Sequence, residues 1–373
     1  MSATLLPFLR FNWLGIRNKI YALVERRFFG IAAGQKDSLP QAGLANEKNL
    51  SISPACRGPS QIRRPHAASG LRRNRCRKLA STQPLASGKG AAGMSVSRAV
   101  LITGCSTGIG RATAIRLHQA GLPVYATARC LETLDGLAAE GITTLALDVT
   151  DEESMAIAVK RVVDDHGAVG ILVNNAGSGV YGSVEDVPLE RARASFETNV
   201  FGMVRLTQLV LPGMRAQGYG RIVNVSSILG RFSPPGGGLY HATKHAVEAY
   251  SDALRLEVAG FGVGVSVIQT ATVRTEFFAN AINQFAGPPG TPYADFYTDL
   301  ANWAIEVAQG HTTTGRYAVP PEKIAATVER AVIATRPRPR YVVGMLGRGA
   351  LMLRRFLPDT LFDKFVRSQF PAP

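Results

Sequence analysis

The chain is poor in the residues that mark several protein classes. Among its 373 residues there are four cysteines, Cys56, Cys76, Cys105 and Cys130, and two tryptophans. The cysteines have neither metal-ligand spacing nor disulfide density, so the expectation is a reducing compartment and no metal. Charged residues make up 18% of the chain, and no uninterrupted apolar run is long enough to cross a bilayer. Residues 1–93 are short of acids, with three Asp and Glu against 16 Lys and Arg, net +13; residues 94–373 carry 24 against 26, net +2. The formal charge of +15 therefore belongs mostly to the leader, and the nearly neutral body argues against nucleic acid as a partner.

Three segments follow from composition. Residues 1–93 form a basic extension: Met1 to about Phe29 has the pattern of an amphipathic helix, and Gly30 to Gly93 lacks periodicity and is expected to be disordered. This extension reads as a transit peptide, as a membrane-surface anchor, or as a stretch outside a working protein that starts at Met94. Residues 94–347 alternate strand-like and helix-like stretches, which predicts an α/β fold: one doubly wound parallel sheet of Rossmann type in a single domain. Residues 348–373 form a basic amphipathic tail, with Leu351, Leu353, Phe356, Leu357, Leu361, Phe362 and Phe365 against Arg354, Arg355 and Lys364. It suits a membrane surface, a partner subunit or packing on the core.

What is present concentrates at strand ends. Ala99–Thr103 reads as a buried strand running into Gly104-Cys-Ser-Thr-Gly108-Ile-Gly110 and then a helix over 111–120. Glycines there let backbone approach a pyrophosphate at a helix N-terminus, or simply allow a tight packing turn. The second strand, Val124–Thr127, ends at Ala128-Arg129 with no acid; an arginine there accommodates the 2′-phosphate of NADP, or is merely a solvated surface residue. A third strand, Thr144–Leu147, delivers Asp148, and Thr150-Asp-Glu-Glu153 reads as a capping box. Strand four, Gly170–Val173, finishes in Asn174-Asn-Ala-Gly177, and Asn199 is expected between two helices, 188–196 and 200–217.

The densest stretch runs from Ser227 to Lys244. Tyr240 and Lys244 are four apart and share a helix face. A cation about 4 Å from a phenol, at an effective dielectric near 20, is worth roughly 4 kcal/mol, enough to lower its pKa by about two or three units. With a hydroxyl from the preceding strand end, this is apparatus for moving a proton on a substrate oxygen, although the pair alone is common on ordinary helices. Between Phe277 and Tyr297 lie Phe277, Phe278, Phe285, Tyr293, Phe296 and Tyr297, which suit either a substrate lid within a loop over 276–320 or aromatics packed on the sheet.

In order and spacing these residues resemble the short-chain dehydrogenase/reductase family, in the branch that includes hydroxysteroid and retinol dehydrogenases, over roughly Val100 to Val343. The resemblance implies Tyr240 as general acid/base, Ser227 (thirteen residues earlier) as the group orienting the substrate oxygen, Lys244 on the phenol and nicotinamide ribose, and Asn199 in the proton relay. It implies a cofactor cradle of Thr103, Gly104, Ser106, Thr107, Gly108, Ile109, Gly110, Arg129, Asp148, Val149, Asn175, Ala176, Gly177, Val273 and Thr275, besides Tyr240 and Lys244. It also implies NADP, with NAD the other option, a lipophilic alcohol or carbonyl substrate and a homo-oligomer. The expected location is cytoplasmic, or an organelle or membrane surface if the extension is expressed. One departure stands out: Gln269-Thr-Ala-Thr272 occupies the place where the family usually has Pro-Gly. That change leans toward the rival reading, a non-catalytic dinucleotide-binding sensor or scaffold, against which the complete set of Ser227, Tyr240, Lys244 and Asn199 argues.

Overall fold

The computed structural model describes residues 96–275 and 287–373. The basic extension and Phe277, Phe278 and Phe285 lie outside the described residues. Seven parallel strands form one sheet in the order β3-β2-β1-β4-β5-β6-β7: β1 Val100–Ile102, β2 Val124–Ala128, β3 Thr143–Ala146, β4 Ile171–Asn174, β5 Gly220–Ser227, β6 Val263–Thr270 and β7 Arg340–Val343. The order reverses between β1 and β4, which opens a crevice beyond their carboxyl ends, the usual ligand position in such sheets.

Strand side chains alternate between faces, so β1 divides its residues between two cores. Val100 and Ile102 join α1 (Gly108–Gln119) and α9 (Pro321–Ile333) through Ala114, Leu117, Ile324 and Val328. Ala99 and Leu101 face the other layer, where α3 (Glu152–His166), α5 (Gly202–Ala216) and α6 (Gly238–Val258) contribute Met155, Val162, Leu206, Val210 and Leu254. A sheet covered on both sides needs near-continuous apolar strands, and β1, β2 and β4 are buried throughout. The remaining helices among the described residues are α2 (Asp135–Ala139), α4 (Leu189–Phe196), α7 (Ala294–Ala308), α8 (Thr313–Arg316), α10 (Met345–Phe356) and α11 (Asp359–Gln369).

Two local expectations are corrected. Asp151, not Thr150, caps α3, because its side chain accepts from the Glu153 N–H at 3.0 Å while Thr150 turns back to Asp148. Asn199 does not separate two helices: a π-helical turn, Glu197–Phe201, carries α4 directly into α5. β6 runs through to Thr270, pairing Gln269 with Ser226 and Thr270 with Ser227. Where the family's proline would remove a backbone donor, this chain extends the ladder. Of the placements open to the tail, its apolar residues take packing on the core: it forms two helices, α10 and α11, and Leu351, Leu353, Leu357, Phe362 and Phe365 turn inward onto Ile228, Leu229 and Phe232.

Candidate active site

The glycine turn is built by steric necessity and braced by β4. Gly104 and Gly108 have φ of +72° and +57°, a region that costs a side chain dearly. A Cβ at Gly110 would lie 2.1 Å from the Gly104 carbonyl oxygen. The Thr103 hydroxyl oxygen accepts from the Asn175 and Ala176 N–H groups, both at 3.0 Å. In return the Asn175 amide donates to the carbonyls of Thr103 and Gly104, both at 2.9 Å. Asn175 thus spends both of these donor bonds on the turn itself. Ser106 and Ile109 are half-buried, and Thr107 is exposed as the residue preceding α1.

This cradle fits a dinucleotide. The Thr107 side chain makes no capping bond, and the first turn of α1 has no acid, so its N–H groups and dipole remain suited to a phosphate. Thr275 closes over the turn: a Cβ at Gly108 would meet its methyl at 2.9 Å. Val273 is held by a parallel bridge to Val319, which fixes the segment following β6. At the end of β2, Arg129 is exposed and makes no ion pair or hydrogen bond to another described residue. Asp148 follows β3, half-buried, and accepts from the Thr150 N–H and hydroxyl at 2.9 and 2.8 Å; Val149 beside it is buried. Gly177 is exposed, and a Cβ there would lie 3.2 Å from Asn199 Oδ1 and 3.9 Å from Lys244 Nζ.

Tyr240 and Lys244 lie in the first two turns of α6, each 7% exposed. The Lys244 ammonium donates to the Val225 carbonyl at 3.1 Å and stands 5.7 Å from the centre of the Tyr240 ring. The expected lowering of the phenol pKa is not what this geometry gives. Burial pushes Tyr240 up, and it pulls Lys244 down to about 8 against the opposing pull of Glu248. Desolvation outweighs the cation here because the ammonium is anchored on a backbone carbonyl, over the ring face.

Ser227 ends β5, buried, with its hydroxyl donating to the Thr270 carbonyl at 3.3 Å and accepting from the Leu229 N–H at 3.1 Å. The neighbouring Ser226 hydroxyl is buried and has no hydrogen-bond partner among the described residues; strand alternation sends it to the other face. Asn199, also buried, accepts from the Ser178 N–H at 2.7 Å and donates to the Ser178 carbonyl, Ser195 and Thr243 at 2.8, 3.2 and 3.0 Å. Its amide stitches the π-turn to the loop after β4 and to α6. Among the described residues no cluster of three His, Cys, Asp or Glu could hold a metal.

Sequence reasoning missed three neighbours of this group, Tyr181, His241 and Glu248. The Tyr181 ring lies 5.5 Å from that of Tyr240 and belongs to an aromatic wall with Phe296, Tyr297 and Leu300 of α7. The Tyr297 hydroxyl accepts from the Ser183 N–H at 3.0 Å, and the Gly182 N–H donates to the Gly236 carbonyl at 2.9 Å, so the wall is tied to both flanking loops. His241, next to Tyr240, is buried, has an unpartnered Nδ1 among the described residues, and is held down to about 3 by that burial and by His245. Glu248 accepts from Gln269 at 3.0 Å and from Arg340 at 2.9 Å. Two local signals were available: His241 adjoins Tyr240, and Glu248 is four residues beyond Lys244 on the same face.

A cradle at the sheet's switch point beside the buried Tyr240–Lys244 pair and Asn199 defines a dinucleotide-dependent oxidoreductase. The sequence pattern of the family described as short chain dehydrogenase matches residues 98–285. An uncharacterized oxidoreductase, YbbO, of Escherichia coli K12 is 34% identical over 277 residues, 74% of this chain and 96% of that protein. The 3-ketodihydrosphingosine reductase of Bacteroides thetaiotaomicron is 33% identical over 270 residues, 72% of this chain and 96% of the reductase. A crystal structure of an actinorhodin polyketide ketoreductase variant with NADPH is 31% identical, with a TM-score of 0.59, covering 67% of this chain and 97% of the ketoreductase. The chain belongs to the short-chain dehydrogenase/reductase family and is an NAD(P)-dependent enzyme of that family.

Proposed function

We propose that the chain is an NADP-preferring oxidoreductase that interconverts an alcohol and a ketone or aldehyde on a lipophilic substrate, with Tyr240 as general acid/base. The observation that carries this is the burial of Tyr240 and Lys244 together on α6, which begins just across a short loop from Ser227. The glycine cradle, Asp148, Val149, Asn175 to Gly177, Val273 and Thr275 would hold the cofactor, with the unpaired Arg129 facing a 2′-phosphate. When bound, NADP supplies hydride transfer.

The residues of this chain manage the proton. Burial keeps the Tyr240 phenol protonated at neutral pH, which is the form that donates to a carbonyl oxygen. The Ser227 hydroxyl, on a long bond to Thr270, can turn its proton to the same oxygen and stabilise charge developing there. Lys244, charged below about pH 8, stabilises the phenolate left behind. Asn199 holds the loop and α6 in register through Ser178 and Thr243.

A lipophilic substrate is supported by the aromatic wall beside Tyr240, by the sphingoid ketone in the name of the Bacteroides relative and by the polyketide in that of the ketoreductase. Phe201 and Leu256, exposed on the helices flanking the site, support a homo-oligomer, and a cytoplasmic location is part of the same reading. Titration with NADPH and NADH, followed by nicotinamide fluorescence, tests the cofactor assignment. NADPH is expected to bind tighter, with Arg129→Ala weakening NADPH roughly 10- to 100-fold and leaving NADH unchanged. Equal binding of both by the wild type removes Arg129 from the account; binding of neither overturns it.

A further inference from the structure

Helix α10 has an inner and an outer face of different chemistry. Ala350, Leu351 and Leu353 pack inward with Ile228 and Leu229, on the loop that follows Ser227. The exposed residues of this helix are Met345, Arg348, Met352, Arg355 and Phe356. They fall at i, i+3, i+7, i+10 and i+11, which is one stripe along the helix. Met345, Met352 and Phe356 are 67%, 64% and 49% exposed. The stripe holds no acid and no hydroxyl, and the nearest following acid, Asp359, is paired with Arg354 at 2.6 Å rather than with the stripe. The Arg355 guanidinium lies 5.9 Å from the centre of the Phe356 ring.

We propose that this stripe is a peripheral membrane contact, seated on an anionic lipid surface with Met345, Met352 and Phe356 at the acyl boundary and Arg348 and Arg355 on phosphate headgroups. Charge selects the occupant. The extension of this chain carries +13 and would bring like charge onto two arginines. A second copy meeting the stripe symmetrically would set the same arginines against one another. An anionic interface satisfies both arginines, while flexible thioethers and one ring suit disordered acyl chains better than a shaped protein pocket. The proposal stands apart from the catalytic reading, since it concerns where the enzyme sits. With only three apolar side chains, the contact is weak and salt-sensitive.

The test is flotation of the full chain with phosphatidylcholine vesicles, with and without phosphatidylserine. The wild type is expected to float with the anionic vesicles and to be released by about 0.5 M salt. Arg348→Gln with Arg355→Gln is expected to lower the bound fraction roughly ten-fold, and Met345→Ser, Met352→Ser and Phe356→Ser together to lower it similarly, with NADPH binding unchanged as the sign of a folded protein. Because the extension could bind lipid by itself, a local readout is added. Phe356→Trp should gain fluorescence that brominated acyl chains quench, beyond any quenching seen in the wild type. Absence of quenching at position 356, unaltered flotation of both variants, or loss of a dimer on the same substitutions overturns the proposal.

Discussion

The ring of Tyr181 lies 5.5 Å from that of Tyr240, tilted by 39°, so the candidate acid/base forms one edge of an aromatic surface that continues into Phe296 and Tyr297. Burial pushes the Tyr181 hydroxyl well above its ordinary range, as it does that of Tyr240, and the role expected of the Tyr181 ring from its place in the wall is to shape it. Tyr181→Ala should raise KM for a lipophilic carbonyl about ten-fold or more, the worth of an aromatic contact, with a smaller effect on kcat. Tyr181→Phe should resemble the wild type. Steady-state kinetics on a long-chain and a short-chain aldehyde separate the two; equal losses on both would reassign Tyr181 to structure.

Glu248 is expected to tune the alkaline limit of activity through Lys244. Burial lowers the ammonium to about 8 and Glu248 raises it; the other groups facing it are the Tyr240 ring and the Val225 carbonyl. Removing the carboxylate charge leaves burial unopposed, so Glu248→Gln should lose the Lys244 proton at lower pH. The alkaline limb of kcat/KM for carbonyl reduction then moves to lower pH, and Glu248→Asp restores it. A loss of stability alone would lower the amount of active enzyme without moving the limb.

Gly110→Ala should abolish NADPH binding. Its Cβ would stand 2.1 Å from the Gly104 carbonyl oxygen and 2.6 Å from Asn175 Nδ2, so the turn cannot close. At Gly260 a Cβ meets nothing within 4 Å, and Gly260→Ala should bind NADPH normally. Calorimetric titration of the two variants makes the comparison.

His241 should make the fold acid-sensitive. Its folded pKa is about 3 against an ordinary 6.5, so its contribution to stability is fully present above pH 6.5 and is lost as pH falls toward 3, at roughly 1.4 kcal/mol per unit. Urea midpoints of His241→Gln should fall less steeply than those of the wild type between pH 6.5 and 4.5. Parallel slopes would contradict the assignment.

Those residues whose chemistry is local could be read from the chain. Gly104, Gly108 and Gly110 announce a turn that no other residue can make, and Tyr240 and Lys244 announce a shared face by their spacing. Long-range packing could not be read. The Glu248–Arg340 pair joins residues 92 apart, and the extension of β6 through Thr270 depends on Ser226 and Ser227 in another strand. Asn199 does not break the helix as expected; its amide satisfies Ser178, Ser195 and Thr243 around a π-turn, partners that lie in the loop after β4, in α4 and in α6. In the tail the apolar content was evident, but only packing shows that Leu351 and Leu353 turn inward while Met345 and Met352 turn out.

The central claim is that Tyr240 moves the proton, and Tyr240→Phe tests it most directly. Reduction of a lipophilic ketone or aldehyde by NADPH should fall roughly 10²–10⁴-fold in kcat/KM, the usual worth of a positioned general acid, while NADPH affinity holds. Full turnover by this variant would contradict the account.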